Sequence, residues 1–213
     1  MKKANLIIVG GTVAAGKSTL VDKLSKHLGW NAVAELREND EVQDIVLKKM
    51  YEGKRLHMLT IQCFFINNRL KQYEENFNGK VMSILDRGIW EDLIFAKLWF
   101  KDDIKSHEFY IQFWNGYVEK IIKEFGLPKL YVYLLVDWDT FKTRIFNRAR
   151  KSEIQNFHKN SNFFKELLKE YNTNFINILK KWNIDYIVLD TKKISKEETL
   201  NQTLKLLKEK NLV

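Results

Sequence analysis

The sequence is poor in residues that staple, break or span. A single cysteine, Cys63, stands among 213 residues, which excludes an intrachain disulfide and a scaffold built on them. One proline, Pro128, and nine glycines leave no Pro- or Gly-rich linker, and no repeat or low-complexity tract is present, so residues 1–213 read as one domain. Four histidines without paired spacing give no metal signature. No apolar run approaches the ~18 residues of a membrane helix. The start, "MKKANLIIVGG", meets Gly and Thr before it completes the apolar region of a signal peptide. The expected setting is a reducing cytoplasm, with neither a membrane nor a nucleic acid as partner.

Positive charge is in excess: 36 Lys and Arg against 27 Asp and Glu, a net charge of +9. Such a balance suits an anionic ligand. The lysines are nevertheless spread along the chain without a run of five basic residues, so a Lys/Asn-rich composition accounts for the charge as well as a nucleic-acid surface would. Hydrophobic residues make up 45% of the chain, enough for one substantial core.

Five short apolar runs read as buried strands: "NLIIVG", "NAVAE", "KVMSILD", "LYVYLLVD" and "IDYIVLD". They do not alternate, as expected for strands covered on both faces. Helical patterns lie between them. "GKSTLVDKLSKHLG" carries Leu20, Val21, Leu24 and Leu28 and stops at Gly29; residues 41–78 and 90–125 each read as one long helix or two; "KNSNFFKELLKEYNTNFINILKKW" is another. Strands alternating with helices imply a parallel sheet flanked by helices. Ligands collect at the carboxyl ends of such strands, and four of these runs end in Gly10, Glu35, Asp86 or Asp137.

Immediately after the first run, "GTVAAGKST" fits G-x-x-x-x-G-K-[ST] between an expected strand and an expected helix. Gly11, Thr12, Val13, Ala14, Ala15, Gly16, Lys17, Ser18 and Thr19 would wrap a triphosphate. Glycines let backbone N–H groups curl around an anion, and the helix N-terminus adds its dipole. Lys17 would neutralise the β- and γ-phosphates, and Ser18 would ligate Mg²⁺. Ala14, small but with a Cβ, is expected in a right-handed or extended conformation. The chain has no N-K-x-D for guanine, and its third strand ends "ILDRG" instead of Asp-Glu, which argues against a GTPase and a motor ATPase.

The strand ends add charge around this loop. Glu35 could take a proton from an attacking hydroxyl, and Arg87, beside Asp86, could stabilise a transferring phosphoryl group. Farther on, Arg144 and Arg148 are i,i+4 neighbours on one helix face, with Arg150 two residues later.

The stretch "DRGIWEDLIFAK" resembles the deoxyribonucleoside kinase family, whose members show Asp/Glu-Arg-Ser, aromatic or aliphatic residues, an Asp and an "FA" pair. Asp86, Arg87, Asp92, Phe95 and Ala96 follow that pattern, with Gly88 in place of Ser. The resemblance covers most of the chain. It implies a P-loop NTPase-type five-stranded parallel sheet with a small arginine-rich lid at about residues 144–155. It places the general base at Glu35, although "AELREN" lacks the family's Pro and Val. By the same resemblance Tyr51 holds the deoxyribose 3′-hydroxyl, Gln62 pairs with a base edge, and Arg69 and Asp92 form a charged pair beside the base. Arg144, Arg148 and Arg150 form the lid, Glu153 helps bind the sugar, and "VLDTKKISKEE" wraps the donor adenine. The implied reaction moves the γ-phosphoryl of ATP, with Mg²⁺, to the 5′-hydroxyl of deoxyadenosine or deoxyguanosine first and deoxycytidine second. A homodimer is implied, with "FFINNRL" and "IFAKLWF" as candidate interface segments. The competing readings are a thymidylate-kinase-like monophosphate kinase, in which Arg37 would hold the acceptor phosphate, and a non-catalytic nucleotide-binding relative.

Overall fold

The computed structural model describes residues 2–35, 42, 45–46, 48–49, 55–148 and 157–213. In chain order these form β1 (Lys3–Gly10), α1 (Lys17–Leu28), β2 (Asn31–Val33), α2 (Arg55–Asn76), β3 (Ser83–Asp86), a 3₁₀ turn (Ile89–Glu91), α3 (Asp92–Trp99), α4 (Ile104–Phe125), β4 (Leu127–Leu135), α5 (Trp138–Arg148), α6 (Ser161–Lys181), β5 (Tyr186–Asp190) and α7 (Lys196–Glu209). The sheet has the order β2-β3-β1-β4-β5, with every neighbouring pair parallel.

The three middle strands follow from their sequence. Leu6–Val9 and Ser83–Asp86 are buried without interruption, and β4 nearly so, because helices cover both faces. The edges differ from that expectation. β2 is shorter than "NAVAE", ends at Val33, and exposes Asn31 and Ala32. Glu35 therefore lies two residues beyond the strand. β5 turns Ile187 and Leu189 inward and leaves Val188 exposed, a half-buried edge strand. Pro128 enters at the second position of β4, opposite Ala4, next to a register shift between Ala4 and Ile7. A bulge at a strand start tolerates the missing N–H.

The 90–125 stretch is two helices. Asp103 ends the link between them: its side chain accepts from Ser106 N at 3.1 Å and caps α4. Behind β3, Trp90 and Trp114 are fully buried, and Trp90 meets Tyr73, Tyr131 and Trp182 edge-on. Trp114 Nε1 donates to Ile89 O at 3.1 Å, tying α4 to the turn that follows β3. Truncating such a tryptophan costs ~3–5 kcal/mol, so this cluster is a rigid floor under the strand ends.

Candidate active site

The β1–α1 loop has the expected phosphate-cradle geometry at its glycines: Gly11 has φ 144° and Gly16 φ 100°. Ala14 departs from expectation. Its φ is 58°, in the left-handed region, because it is the third residue of a turn closed by Ala15 N donating to Thr12 O at 3.2 Å. The methyl group makes that turn unfavourable by about 1–2 kcal/mol relative to a right-handed residue. Thr12 and Ala15 are buried, and Val13 and Thr19 are half-buried. Lys17 is buried and folds back to donate to Thr12 O at 3.0 Å. Burial and the Arg87 charge lower it to about 8, against the pull of Asp86, Glu35 and Glu91. Ser18 donates to Asp86 Oδ2 at 2.5 Å, joining the first helical turn to the end of β3.

A cleft of about 480 Å³ opens from residues 14–19 toward Arg144, Asn147, Ile194 and Lys196. Arg144 is anchored there. It donates to Ala15 O at 2.8 Å, to Thr191 O at 2.7 Å and to Thr191 Oγ1 at 3.1 Å, linking the loop to the end of β5. Arg148 closes α5, and Arg150 and Glu153, expected in a lid, lie outside the described residues, as do Tyr51 and Arg37.

On the other side of the loop stands an alternating chain of charges. Glu35 Oε1 lies 2.6 Å from Arg69 Nη2 and 2.6 Å from Arg87 Nε. Arg69 Nη1 pairs from behind with Asp92. Arg87 Nη1 pairs with Glu91 at 2.7 Å. The order is Glu91–Arg87–Glu35–Arg69–Asp92, and all five are buried except Glu35, whose side chain is 20% exposed at the mouth. Burial opposes ionisation of Glu35, but Arg87, Arg69 and Lys17 outweigh it and hold the carboxyl at about 2. Burial dominates at Asp92 and pushes it up to about 7, against the pull of Arg69 and Arg87. Burial likewise raises Asp86, with Lys17 opposing it.

Gln62 is buried on α2, seven residues before Arg69, which puts the two on one face. Near them, Asp92 Oδ2, Arg69 Nε and the Tyr110 hydroxyl are buried without a hydrogen-bond partner among the described residues. Buried polar atoms are normally paired, so a cluster of unpaired ones marks a place for a polar ligand.

Three members of the site carried no motif. Glu91, Tyr131 and Tyr171 join it by hydrogen bonds between elements far apart in the chain. Only Glu91 left a trace: it stands four residues after Arg87 inside the apolar run "IWEDLIF", where an unpaired carboxylate would be unfavourable. Gly88 has a structural reason. A Cβ there would stand 2.9 Å from Ile8 Cδ1 and 3.0 Å from the Tyr131 hydroxyl, so Tyr131 fills the space a Ser side chain would need.

A profile of the family described as deoxynucleoside kinase matches residues 7–211. An uncharacterized protein of Mycoplasma pneumoniae is 39% identical over 99% of this chain and 93% of its own length. The deoxyadenosine/deoxycytidine kinase of Bacillus subtilis is 30% identical over 72% of this chain and 70% of its own. The solved deoxyadenosine kinase of M. mycoides with bound dATP superposes with a TM-score of 0.78 at 24% identity, covering 95% of this chain and 98% of that one. With the phosphate loop, the parallel sheet and the Asp86-Arg87 strand end in place, the chain belongs to the deoxynucleoside kinase family and is an ATP-dependent phosphotransferase.

Proposed function

We propose that the protein transfers the γ-phosphoryl group of ATP to the 5′-hydroxyl of a deoxyribonucleoside, with deoxyadenosine or deoxyguanosine preferred and deoxycytidine next. The observation that carries this reading is the position of Glu35, clasped at Oε1 by two buried guanidiniums on the flank of the phosphate loop. That clasp leaves Oε2 as the oxygen that meets an incoming hydroxyl. A carboxylate held at about 2 is a weak base. In phosphoryl transfer with a loose transition state, however, the nucleophile needs orientation more than early deprotonation. Glu35 accordingly orients the 5′-hydroxyl and takes its proton late, when the arriving phosphoryl has made that proton acidic. Arg87 steadies Glu35 and faces the transferring group. Lys17, with Arg144, Arg148 and Arg150, gathers the phosphate charge.

Mg²⁺ is the cofactor this reading implies, and the residues fit it: the Ser18 hydroxyl adjoins Asp86, whose buried Oδ1 has no hydrogen-bond partner among the described residues. These two oxygens would hold the ion, which when bound supplies positive charge to the β- and γ-phosphates.

The base preference rests on Arg69 and Asp92. Together they offer a donor and an acceptor, which suits a base with an exocyclic amine beside a ring acceptor; a thymine carbonyl would face the Asp92 carboxylate. Gln62 adds a second donor–acceptor pair, and the unpaired atoms of Asp92, Arg69 and Tyr110 await partners. Relatives of this chain are called deoxyguanosine kinase in Lactobacillus johnsonii and deoxyadenosine/deoxycytidine kinase in Bacillus subtilis, names that cover both purine deoxynucleosides and deoxycytidine. Tyr51 and Glu153 would hold the 3′-hydroxyl. Incubation with Mg·ATP and each of the four deoxynucleosides, beside deoxyadenosine monophosphate, tests the proposal. Purine deoxynucleosides turning over fastest supports it, and phosphorylation of the monophosphate alone overturns it.

The same reading includes a homodimer in the cytoplasm. Of the two candidate interface segments, "IFAKLWF" spends Phe95, Leu98 and Phe100 in the core. On α4, Phe109 (55% exposed), Phe113 and Tyr117 (54% exposed) form an outward aromatic stripe at i, i+4 and i+8, a surface suited to a second copy. Sedimentation of the parent and of Phe109→Glu checks it. No helix among the described residues is long and apolar enough to cross a membrane.

A further inference from the structure

We infer that Glu91 is a positioning residue for phosphoryl transfer: one fully buried carboxylate fixes both the acceptor-side arginine and the first N–H of the phosphate loop. No part of its side chain reaches solvent; its exposure is 0%. Five donors converge on its two oxygens. Oε2 accepts from Arg87 Nη1 at 2.7 Å, the Tyr171 hydroxyl at 2.6 Å and Gly11 N at 3.3 Å. Oε1 accepts from the Tyr131 hydroxyl at 2.6 Å and Gly88 N at 3.3 Å. The donors come from the phosphate loop, the turn after β3, β4 and α6, so this one group ties the walls of the site together.

The geometry explains why an acid is needed there. Arg87 has φ 75°, a left-handed backbone that an arginine adopts only when its surroundings impose it. Its N–H is fixed on Val9 O at 2.9 Å. Its guanidinium is then gripped at Nη1 by Glu91 and by the Tyr171 hydroxyl, which donates to Glu91 and lies 2.5 Å from Nη1. That grip leaves Nε 2.6 Å from Glu35 Oε1, an ion-pair contact in which the N–H is not aimed at the oxygen. Without the Glu91 charge, two carboxylates would become one on Arg87, and the guanidinium could pivot onto Glu35. The surrounding hydroxyls cannot substitute by ionising, because burial pushes both Tyr131 and Tyr171 well above the usual tyrosine range. Glu91 has no solvent-exposed atom with which to meet a substrate or a phosphate. It acts chiefly through Arg87 at 2.7 Å, with the longer Gly11 contact at 3.3 Å secondary.

The inference rests on the kinase activity of the family and on the proposed role of Arg87, and it is independent of which base is preferred. The test compares Glu91→Gln, Arg87→Gln and the double variant, using Mg·ATP and the deoxynucleoside that the parent phosphorylates fastest. Melting is recorded in parallel, and rates are taken well below every melting point. Glu91→Gln is expected to lower kcat by about 30-fold or more, with KM for ATP and nucleoside within about threefold of the parent, as for an interaction realised in the transition state. The double variant should be no more than about threefold slower than Arg87→Gln alone, because Glu91 works through that arginine. A packing role alone predicts a lower melting temperature with parent-like kcat, or losses that multiply in the double variant, and either result overturns the inference. If Glu91→Gln does not fold, Tyr171→Phe replaces it in the same cycle, with an expected kcat loss of about fivefold and the same non-multiplication. Parent-like turnover by Arg87→Gln would overturn the proposed role of Arg87 and this inference together. A slow Arg87→Gln beside a parent-like Glu91→Gln would overturn this inference alone.

Discussion

The two halves of the site are built by different means. The donor half is a backbone device: a loop with left-handed residues, a helix N-terminus, and one arginine pinned to Ala15 and Thr191. Apart from that arginine and its Thr191 anchor, its parts lie within a few residues of each other, and most of its grip comes from N–H groups. The acceptor half is a side-chain device: Glu35, Arg69, Arg87, Glu91 and Asp92, contributed by segments distant in the chain and held by mutual charge in a buried setting. A backbone cradle tolerates changes of side chain, whereas a charge chain of this kind fails when any link is removed, because its neighbours are left buried and unpaired.

The largest effect should fall on the acceptor half, at Glu35. Glu35→Gln is expected to lower kcat by about 10²–10⁴-fold while ATP affinity, measured by titration, stays within about threefold. If ATP affinity falls in step, the halves are not separable. Next is the acid stability of the folded protein. Glu35 sits at about 2 against an ordinary 4.5, so its ionised form favours the folded state above pH 4.5, and that contribution is lost as the pH falls toward 2. The two values correspond to about 3 kcal/mol. Urea melts at pH 5 and pH 2.5 should show a shallower decline for Glu35→Gln than for the parent. Smaller again is Asp92→Asn, which should raise the nucleoside KM by about 10–30-fold and narrow the preference between purines and thymidine, with KM for ATP unchanged. The smallest is Ala14→Gly on the donor side. Relief of its left-handed strain, partly offset by the entropy of glycine, should add about 0.5–1 kcal/mol and raise Tm by about 2–3 °C, with kcat within about threefold.

The difference between the halves also explains what was legible in the sequence. Gly11, Gly16, Lys17 and Ser18 sit at fixed spacing because a backbone loop demands it, so the donor half could be read directly. The three middle strands were legible because burial on both faces removes polar residues from them. β2 and β5 were less so: an edge strand has one covered face at most, and Asn31, Ala32 and Val188 are free to be what they are. In the acceptor half, Glu35 and Arg87 could be read from their places at strand ends, whereas Gln62, Arg69 and Asp92 were legible only where a family resemblance supplied their roles. That Arg69 also clasps Glu35, and that Glu91 gathers two tyrosines and the loop, depends on contacts between residues dozens apart, for which no local spacing rule exists. The conformation of Ala14 went the other way from its own preference because the turn closed between Thr12 and Ala15 prevailed over a methyl clash.

Glu91 and Asp92 are joined by one peptide bond, yet each grips a different arginine, and both arginines converge on one oxygen. If Asp92 reads the base as proposed, rebuilding residue 92 to take another nucleobase will shift the neighbouring anchor by the same stroke. On that reading, choice of nucleoside and speed of turnover are mechanically yoked, and a variant library that randomises position 92 alone should yield altered selectivity chiefly among its slower members.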